Sequence, residues 1–197
     1  VADTDFKAAP AITDALHRRI DHGVFGYSRP SPRLIQLIVQ RMQRLYGWTI
    51  ETDWLLFMPG VVPGLNFACR AWCRPEQRVI TPTPVYYPFL HAAEHNDRPV
   101  SHLPMRLVDD RWLPDFDVLE QLAADADLLL LCNPHNPGGT VFSRAELERI
   151  ADIAERHDLI VCSDEIHCDL ILEPQARHIP FAGLSPAAAR RSAVLMS

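Results

Sequence analysis

The feature that most constrains the fold is a series of short apolar segments that alternate with stretches of helical periodicity. Residues 127–132 (DLLLLC) are the clearest example, and residues 159–162 and 193–196 are similar. Strands that are apolar on both faces and alternate with helices are typical of a parallel sheet that is covered on both sides. The sequence therefore predicts an α/β fold, with a mostly parallel sheet and helices on both faces.

Proline, glycine and serine mark where several helices should begin and end. Pro10 and Pro32 open segments of helical periodicity, and Gly23 and Gly47 follow their last turns, which is the usual placement of these residues at helix ends. Ser143 begins a capping box for a later helix. Further helices are predicted over residues 63–73, 87–94, 116–122 and 143–157, and further strands over residues 54–58, 78–80 and 100–105.

Composition and charge exclude several classes of protein. Of the 197 residues, 48% are hydrophobic and 22% are charged, so the chain can bury a core and is not expected to be disordered. No apolar run approaches the length of a membrane span, and a net charge of −6 without a basic cluster argues against nucleic-acid binding. The five cysteines form no CxxC pair and the first residues lack a basic secretory signal, which favours a reducing, cytoplasmic location.

Four motifs are predicted to follow strands, at the edge where open α/β sheets bind their ligands. They are residues 60–64 (GVVPG), 84–87 (PVYY), 133–140 (NPHNPGGT) and 163–169 (SDEIHCD). Backbone N–H groups at Val61 and Val62 can hold a phosphate at a helix start, and Tyr86 can stack on a planar ring. Taken alone, these two motifs are more typical of an ordinary turn and of an ordinary packed aromatic side chain.

The other two motifs carry side chains suited to a heteroaromatic ligand. Two Asn-Pro steps make a stiff turn that can hold the Asn136 amide toward a ligand oxygen, or that serves as a turn alone. Asp164 follows a strand, where a carboxylate can pair with a protonated ring nitrogen, and His167 lies three residues further on. A metal site or a plain polar loop is the alternative, but the spacing matches no recognisable ligand pattern, and we predict no metal.

Taken in this order, the motifs resemble those of the fold-type I pyridoxal-phosphate (PLP) enzymes. The opening ADTDF, the segment HGVFGY at residues 22–27, GVVPG and DEIH are more narrowly similar to the class I/II aminotransferase-like branch that includes the MalY/PatB-type cystathionine β-lyases. The resemblance covers almost the whole chain. It implies a PLP-dependent transferase-like large domain over residues 31–197, incomplete at its C-terminus, and an N-terminal segment over residues 1–30.

The resemblance also implies how the cofactor, pyridoxal 5′-phosphate, would be held. Asp164 would pair with the pyridinium nitrogen and keep the ring protonated. Asn136 and His167 would hydrogen-bond the phenolic O3′ of the cofactor. Tyr86 would stack on the face of the ring.

Other implied contacts involve the phosphate, a second subunit and a lysine. The backbone at Val61 and Val62 would hold the phosphate, and Tyr27 would reach a neighbouring site because the family is commonly homodimeric.

The family's Schiff-base lysine is expected beyond Ser197, since Lys7 is the only lysine of the sequence and follows no predicted strand. The C-terminal small domain, with the arginine that binds the substrate carboxylate, is expected there too.

The function that the resemblance implies is that of a PLP-dependent C–S β-lyase of the cystathionine β-lyase type. Its substrates would be sulfur-containing amino acids. An aminotransferase on the same scaffold is the alternative, because the four motifs serve both reactions equally. A non-catalytic regulatory or binding protein of the same fold is a further alternative. The DEIH and ADTDF segments favour the lyase.

Overall fold

The computed structural model describes residues 5–197, and the chain divides after Pro32 into two compact units. The first unit contains helix α1 (Pro10–His22), which begins with a proline in its first turn. It ends at Gly23, whose φ of 71° is left-handed, so both predicted ends of this helix are confirmed. Residues 2–4 of the ADTDF motif lie outside the described residues.

The second unit is built on a mixed but mostly parallel sheet. Its strands are β1 (Arg78–Thr83), β2 (Val100–Val108), β3 (Arg111–Pro114), β4 (Ala126–Cys132), β5 (Ile160–Asp164) and β6 (Ser192–Leu195). Within the described residues the sheet has six strands, in the order β3-β2-β1-β4-β5-β6. All neighbouring pairs are parallel except β2 and β3. The predicted fold class is therefore confirmed.

Helices pack on both faces of this sheet. Helix α2 (Pro32–Tyr46) precedes them in the chain. Helices α3 (Val61–Trp72) and α4 (Pro88–Glu94) cover one face, and α5 (Phe116–Ala123), α6 (Arg144–Arg156) and α7 (Pro186–Arg190) cover the other. Single 3₁₀ turns lie at Thr52–Trp54 and Phe181–Gly183. The predicted capping box at Ser143 is present in full and starts α6. None of the helices in residues 5–197 is long and apolar enough to cross a membrane.

Alternate residues of the central strands enter two separate hydrophobic cores. On β4, Leu129 and Leu131 pack in the core that α5 and α6 cover. Leu128 and Leu130 pack in the core that α3 and α4 cover. Both faces of β4 are buried, which explains why its sequence is a continuous apolar run instead of an alternating one.

The expectation of a strand at residues 54–58 is wrong. This stretch follows the 3₁₀ turn and pairs with no strand among the described residues. Leu56 is 85% exposed and Phe57 is 50% exposed. The apolar run is thus a surface segment, and α3 is reached from a loop.

The sequence analysis also missed β3, the antiparallel edge strand. It forms a hairpin with β2 across Asp109 and Asp110, which have φ values of 48° and 61°. Two consecutive residues with positive φ are the signature of the two-residue turn that suits the twist of a hairpin. This turn folds the following four residues back onto β2 as an edge strand.

Candidate functional site

The sheet opens between β1 and β4 at its carboxyl edge. Pairing between these two strands covers residues 78–80 of β1. In contrast, β1 stays paired with β2 through Thr83, and β4 stays paired with β5 through Cys132. The chain then continues from β1 into α4 on one face and from β4 into α6 on the other. Such a reversal of the chain path forms the crevice in which open α/β sheets bind ligands.

Asp164 ends β5 at this edge of the sheet. It is only 3% exposed, and the one hydrogen bond that the described residues give its side chain comes from Ile166 N, 3.1 Å from Oδ1. Burial raises the pKa of Asp164 to about 6; the Ile166 N–H opposes this rise and the charge of Glu165 adds to it. A buried carboxylate with spare acceptor capacity is stabilised by a cationic N–H partner.

The loops after β1 and β4 bring Tyr86 and Asn136 together. The backbone N–H of Tyr86 donates to the carbonyl oxygen of Asn136 over 2.9 Å, and Asn133 N donates to Asp164 O over the same distance. Both Tyr86 and Asn136 are half-buried. Neither the Tyr86 hydroxyl nor the Asn136 amide has a hydrogen-bond partner in residues 5–197. The predicted ring-stacking and amide groups therefore stand at the crevice with their polar atoms free.

The first turn of α3 lies at the same edge as Asp164. Val61 and Val62 begin this helix directly after a glycine with φ of 144°. A Cβ at Gly64 would come within 2.9 Å of the Leu195 side chain, and Leu195 is the cross-strand partner of Asp164. The backbone N–H groups of a helix start lack intrahelical partners, and they favour anions.

Two other predicted residues, His167 and Tyr27, have no contact within residues 5–197 that indicates a role toward a ligand. His167 is half-buried in the turn after Asp164, and its carbonyl accepts a hydrogen bond from Leu170 N over 2.9 Å. Its imidazole has no hydrogen-bond partner in the described part of the chain. Tyr27 belongs to the first unit and is fully exposed. The roles of both side chains toward a ligand stay predictions.

A buried acid–base pair beside the site was missed by the sequence analysis. His178 Nε2 donates to Glu165 Oε2 over 2.6 Å, and the two side chains are 1% and 0% exposed. Ser163 Oγ and Phe181 N both donate to Glu165 Oε1 over 2.8 Å. This network fixes the chain on either side of Asp164. The partners are far apart in sequence, and no local pattern reveals them.

Metal and thiol chemistry have little support in the described residues. Nowhere in residues 5–197 do three or more His, Cys, Asp or Glu side chains form a group that could hold a metal ion. The five cysteines are free and buried. Burial raises the pKa of Cys132 to about 12, so this thiol is held in its unreactive protonated form.

Polar side chains at the crevice fall into two groups. Those of the first group make hydrogen bonds within the protein: Asn133, His135, Glu165 and His178. The atoms that this group leaves unpaired in the described residues are buried: Asn133 Oδ1, His135 Nδ1 and His178 Nδ1. Those of the second keep polar atoms free: Tyr86, Asn136, Asp164 and His167. The second group suits a flat ligand with a protonated ring nitrogen and a ring oxygen, and the start of α3 suits an attached phosphate.

Comparisons with known proteins identify the family of the chain. Residues 2–195 match the family model described as aminotransferase class I and II. The chain is 42% identical over 187 residues to cystathionine β-lyase PatB of Bacillus subtilis, covering 94% of this chain and 48% of PatB. It superposes on OvoB with a TM-score of 0.95 and 50% identity, covering 100% of this chain and 52% of OvoB. For PLP-containing cystalysin from Treponema denticola the TM-score is 0.93 with 35% identity, covering 100% and 50% of the two chains.

Fold and site together define the class: this is the fold of the PLP-dependent transferases. More particularly, the chain belongs to the aminotransferase class I and II family. It spans about half the length of the relatives that it matches.

Proposed function

We propose that the crevice between β1 and β4 binds pyridoxal 5′-phosphate. The observation that carries this proposal is Asp164, a buried carboxyl with one hydrogen bond and a pKa raised to about 6. The PLP-containing cystalysin, which has the same fold, supports the choice of cofactor.

The chemistry of the site follows from what each residue would do to the cofactor. When bound, PLP is an electron sink that lets bonds at Cα of an amino acid break. Asp164 would hold a proton on the ring nitrogen, because its carboxylate gains a cationic partner there. The Asn136 amide and the His167 imidazole would donate to O3′, and Tyr86 would stack on the ring and fix its plane.

Two further contacts complete the proposed site. The N–H groups of Val61 and Val62, at the start of α3, would bind the phosphate, because a helix start combines free donors with the positive end of the helix dipole. The proposed subunit arrangement is a homodimer in the cytoplasm, with Tyr27 reaching the site of the partner. The Schiff-base lysine and the carboxylate-binding arginine would lie in the half of the relatives' length that this chain does not span.

For the whole protein we propose the activity of a C–S β-lyase of the cystathionine β-lyase type, acting on sulfur-containing amino acids. The similarity to cystathionine β-lyase PatB supports this choice. The four motifs alone do not distinguish it from an aminotransferase.

The full-length protein, incubated with PLP and cystathionine, should release pyruvate. Borohydride should attach the cofactor covalently to a lysine in the same preparation. The matched control supplies an amino acid together with a keto-acid acceptor in place of cystathionine. Interconversion of amino and keto acids without pyruvate from cystathionine would replace the lyase proposal by the aminotransferase. Failure of borohydride to fix any cofactor would favour a non-catalytic protein.

A further inference from the structure

Two hydrogen bonds tie together the loops that flank the crevice. One is the backbone bond from Tyr86 N to Asn136 O, 2.9 Å long. The other runs from the His135 side chain, whose Nε2 is 3.0 Å from the carbonyl oxygen of Pro84. Because β1 and β4 separate beyond Ile80 and Leu129, sheet pairing does not hold these loops at a fixed distance.

The chemistry of the second bond determines the state of His135. A carbonyl oxygen only accepts, so Nε2 must carry the hydrogen. The ring is 3% exposed, and burial lowers the pKa of His135, which keeps the imidazole neutral. Its Nδ1 is buried without a hydrogen-bond partner in residues 5–197. The only N–H of the neutral ring therefore donates to the Pro84 carbonyl oxygen, and no N–H is left to donate to a ligand.

Packing holds the His135 ring in place. A Cβ added to Gly138 would lie 2.5 Å from His135 Nδ1 and 2.7 Å from Trp112 Cδ1. His135 N also donates to Thr140 O over 2.9 Å. The ring thus fills a space that only glycine at position 138 leaves open, and it has little freedom to turn away from Pro84.

We propose that His135 is a positioning residue that sets the spacing between the Tyr86 ring and the Asn136 amide, and so the width of the slot for a flat ring. This inference rests on the proposed binding of PLP. His135 lies next to Asn136 in the chain and bonds the loop that carries Tyr86, so its loss leaves the backbone bond from Tyr86 N to Asn136 O as the remaining one of the two ties. It contacts no ligand itself.

A double-mutant cycle on the full-length protein tests this proposal, with the dissociation constant of PLP as the readout. His135→Leu should weaken PLP binding about 10-fold where Tyr86 is present, because misplaced contacts lose most of their value. In a Tyr86→Leu background the same substitution should cost less than about 2-fold, since the stacking contact that it positions is already gone. His135→Gln keeps an N–H donor and should stay within about 3-fold of the wild type.

His102→Leu, at an exposed position on β2, is the matched control and should leave PLP binding unchanged. Equal losses from His135→Leu in both backgrounds, or no rescue by His135→Gln, would overturn the positioning role alone. A wild-type protein that binds no PLP would overturn the proposed function and this inference with it.

If His135→Leu does not fold, NMR of ¹⁵N-labelled histidine in the wild type decides: a neutral ring protonated on Nε2 at pH 7 is expected, and a cationic ring or one protonated on Nδ1 contradicts the proposal.

Discussion

Replacing Asp164 by Asn should stabilise the cofactor-free protein at pH 7 while weakening its hold on PLP. The pKa of this carboxyl is about 6 in the folded protein against an ordinary value of 3.8. A folded state that binds the proton more tightly loses stability as pH rises between these two values. The wild type should therefore lose about 2 kcal/mol of folding free energy between pH 4 and pH 7 that Asp164→Asn does not lose.

Urea unfolding of the cofactor-free proteins at pH 4 and pH 7 measures this difference directly. Asp125→Asn, at an exposed position, is the matched control and should follow the pH dependence of the wild type. Adding PLP should stabilise the wild type by mass action and should stabilise Asp164→Asn much less. Parallel pH profiles for the wild type and Asp164→Asn would show that burial does not raise the pKa of Asp164.

Removing the imidazole of His178 should be among the most destabilising single changes in the second unit. His178→Ala leaves the fully buried Glu165 carboxylate without one of its three donors. Removing a hydrogen-bond partner from a buried charged group costs about 2–3 kcal/mol. Glu165→Gln keeps an oxygen that accepts from Ser163 and Phe181, and its amide N–H can donate to His178 Nε2 once the imidazole carries its hydrogen on Nδ1, so its cost should be smaller.

The chain offers a control of the same residue types on the surface. His91 and Glu94 are 3.0 Å apart with side chains 50% and 61% exposed, and His91→Ala should cost less than about 1 kcal/mol. Denaturant unfolding of the two alanine variants compares the pairs. A cost for His178→Ala no greater than that for His91→Ala would contradict the structural role given to the buried pair.

The architecture was predictable because it depends on local pattern. The apolar run of β4 indicates burial on both faces, and the cores on each side confirm it. Helix ends at Pro10, Gly23 and Ser143 depend on backbone chemistry within a few residues, and they are confirmed. These features need no knowledge of distant partners.

Two of the features that sequence reasoning missed depend on distant parts of the chain, and the third, β3, depends on a local turn. Leu56 and Phe57 are as apolar as a strand requires, but whether such a segment pairs with a sheet is decided by the rest of the fold. Strand β3 is a four-residue edge strand that exists because the Asp109–Asp110 turn folds it onto β2. Likewise, Glu165 and His178 become partners only when the chain returns to the end of β5.

The site itself was predicted as a set of residues on separate motifs. The structure places Tyr86, Asn136 and Asp164 around one crevice, and the strand order explains why. The divergence of β1 from β4 could not be read from either strand alone. It follows from their different neighbours in the sheet.

A crystal structure of the full-length protein with PLP bound would test whether Asp164 holds the ring nitrogen of the cofactor. The distance to measure is the one between the ring nitrogen of the cofactor and the Asp164 carboxylate. We expect a charge-assisted hydrogen bond of about 2.7–2.9 Å, with the ring between Tyr86 and the loop of Asn136. A ring bound outside the crevice, or a ring nitrogen that faces a group other than Asp164, would contradict it.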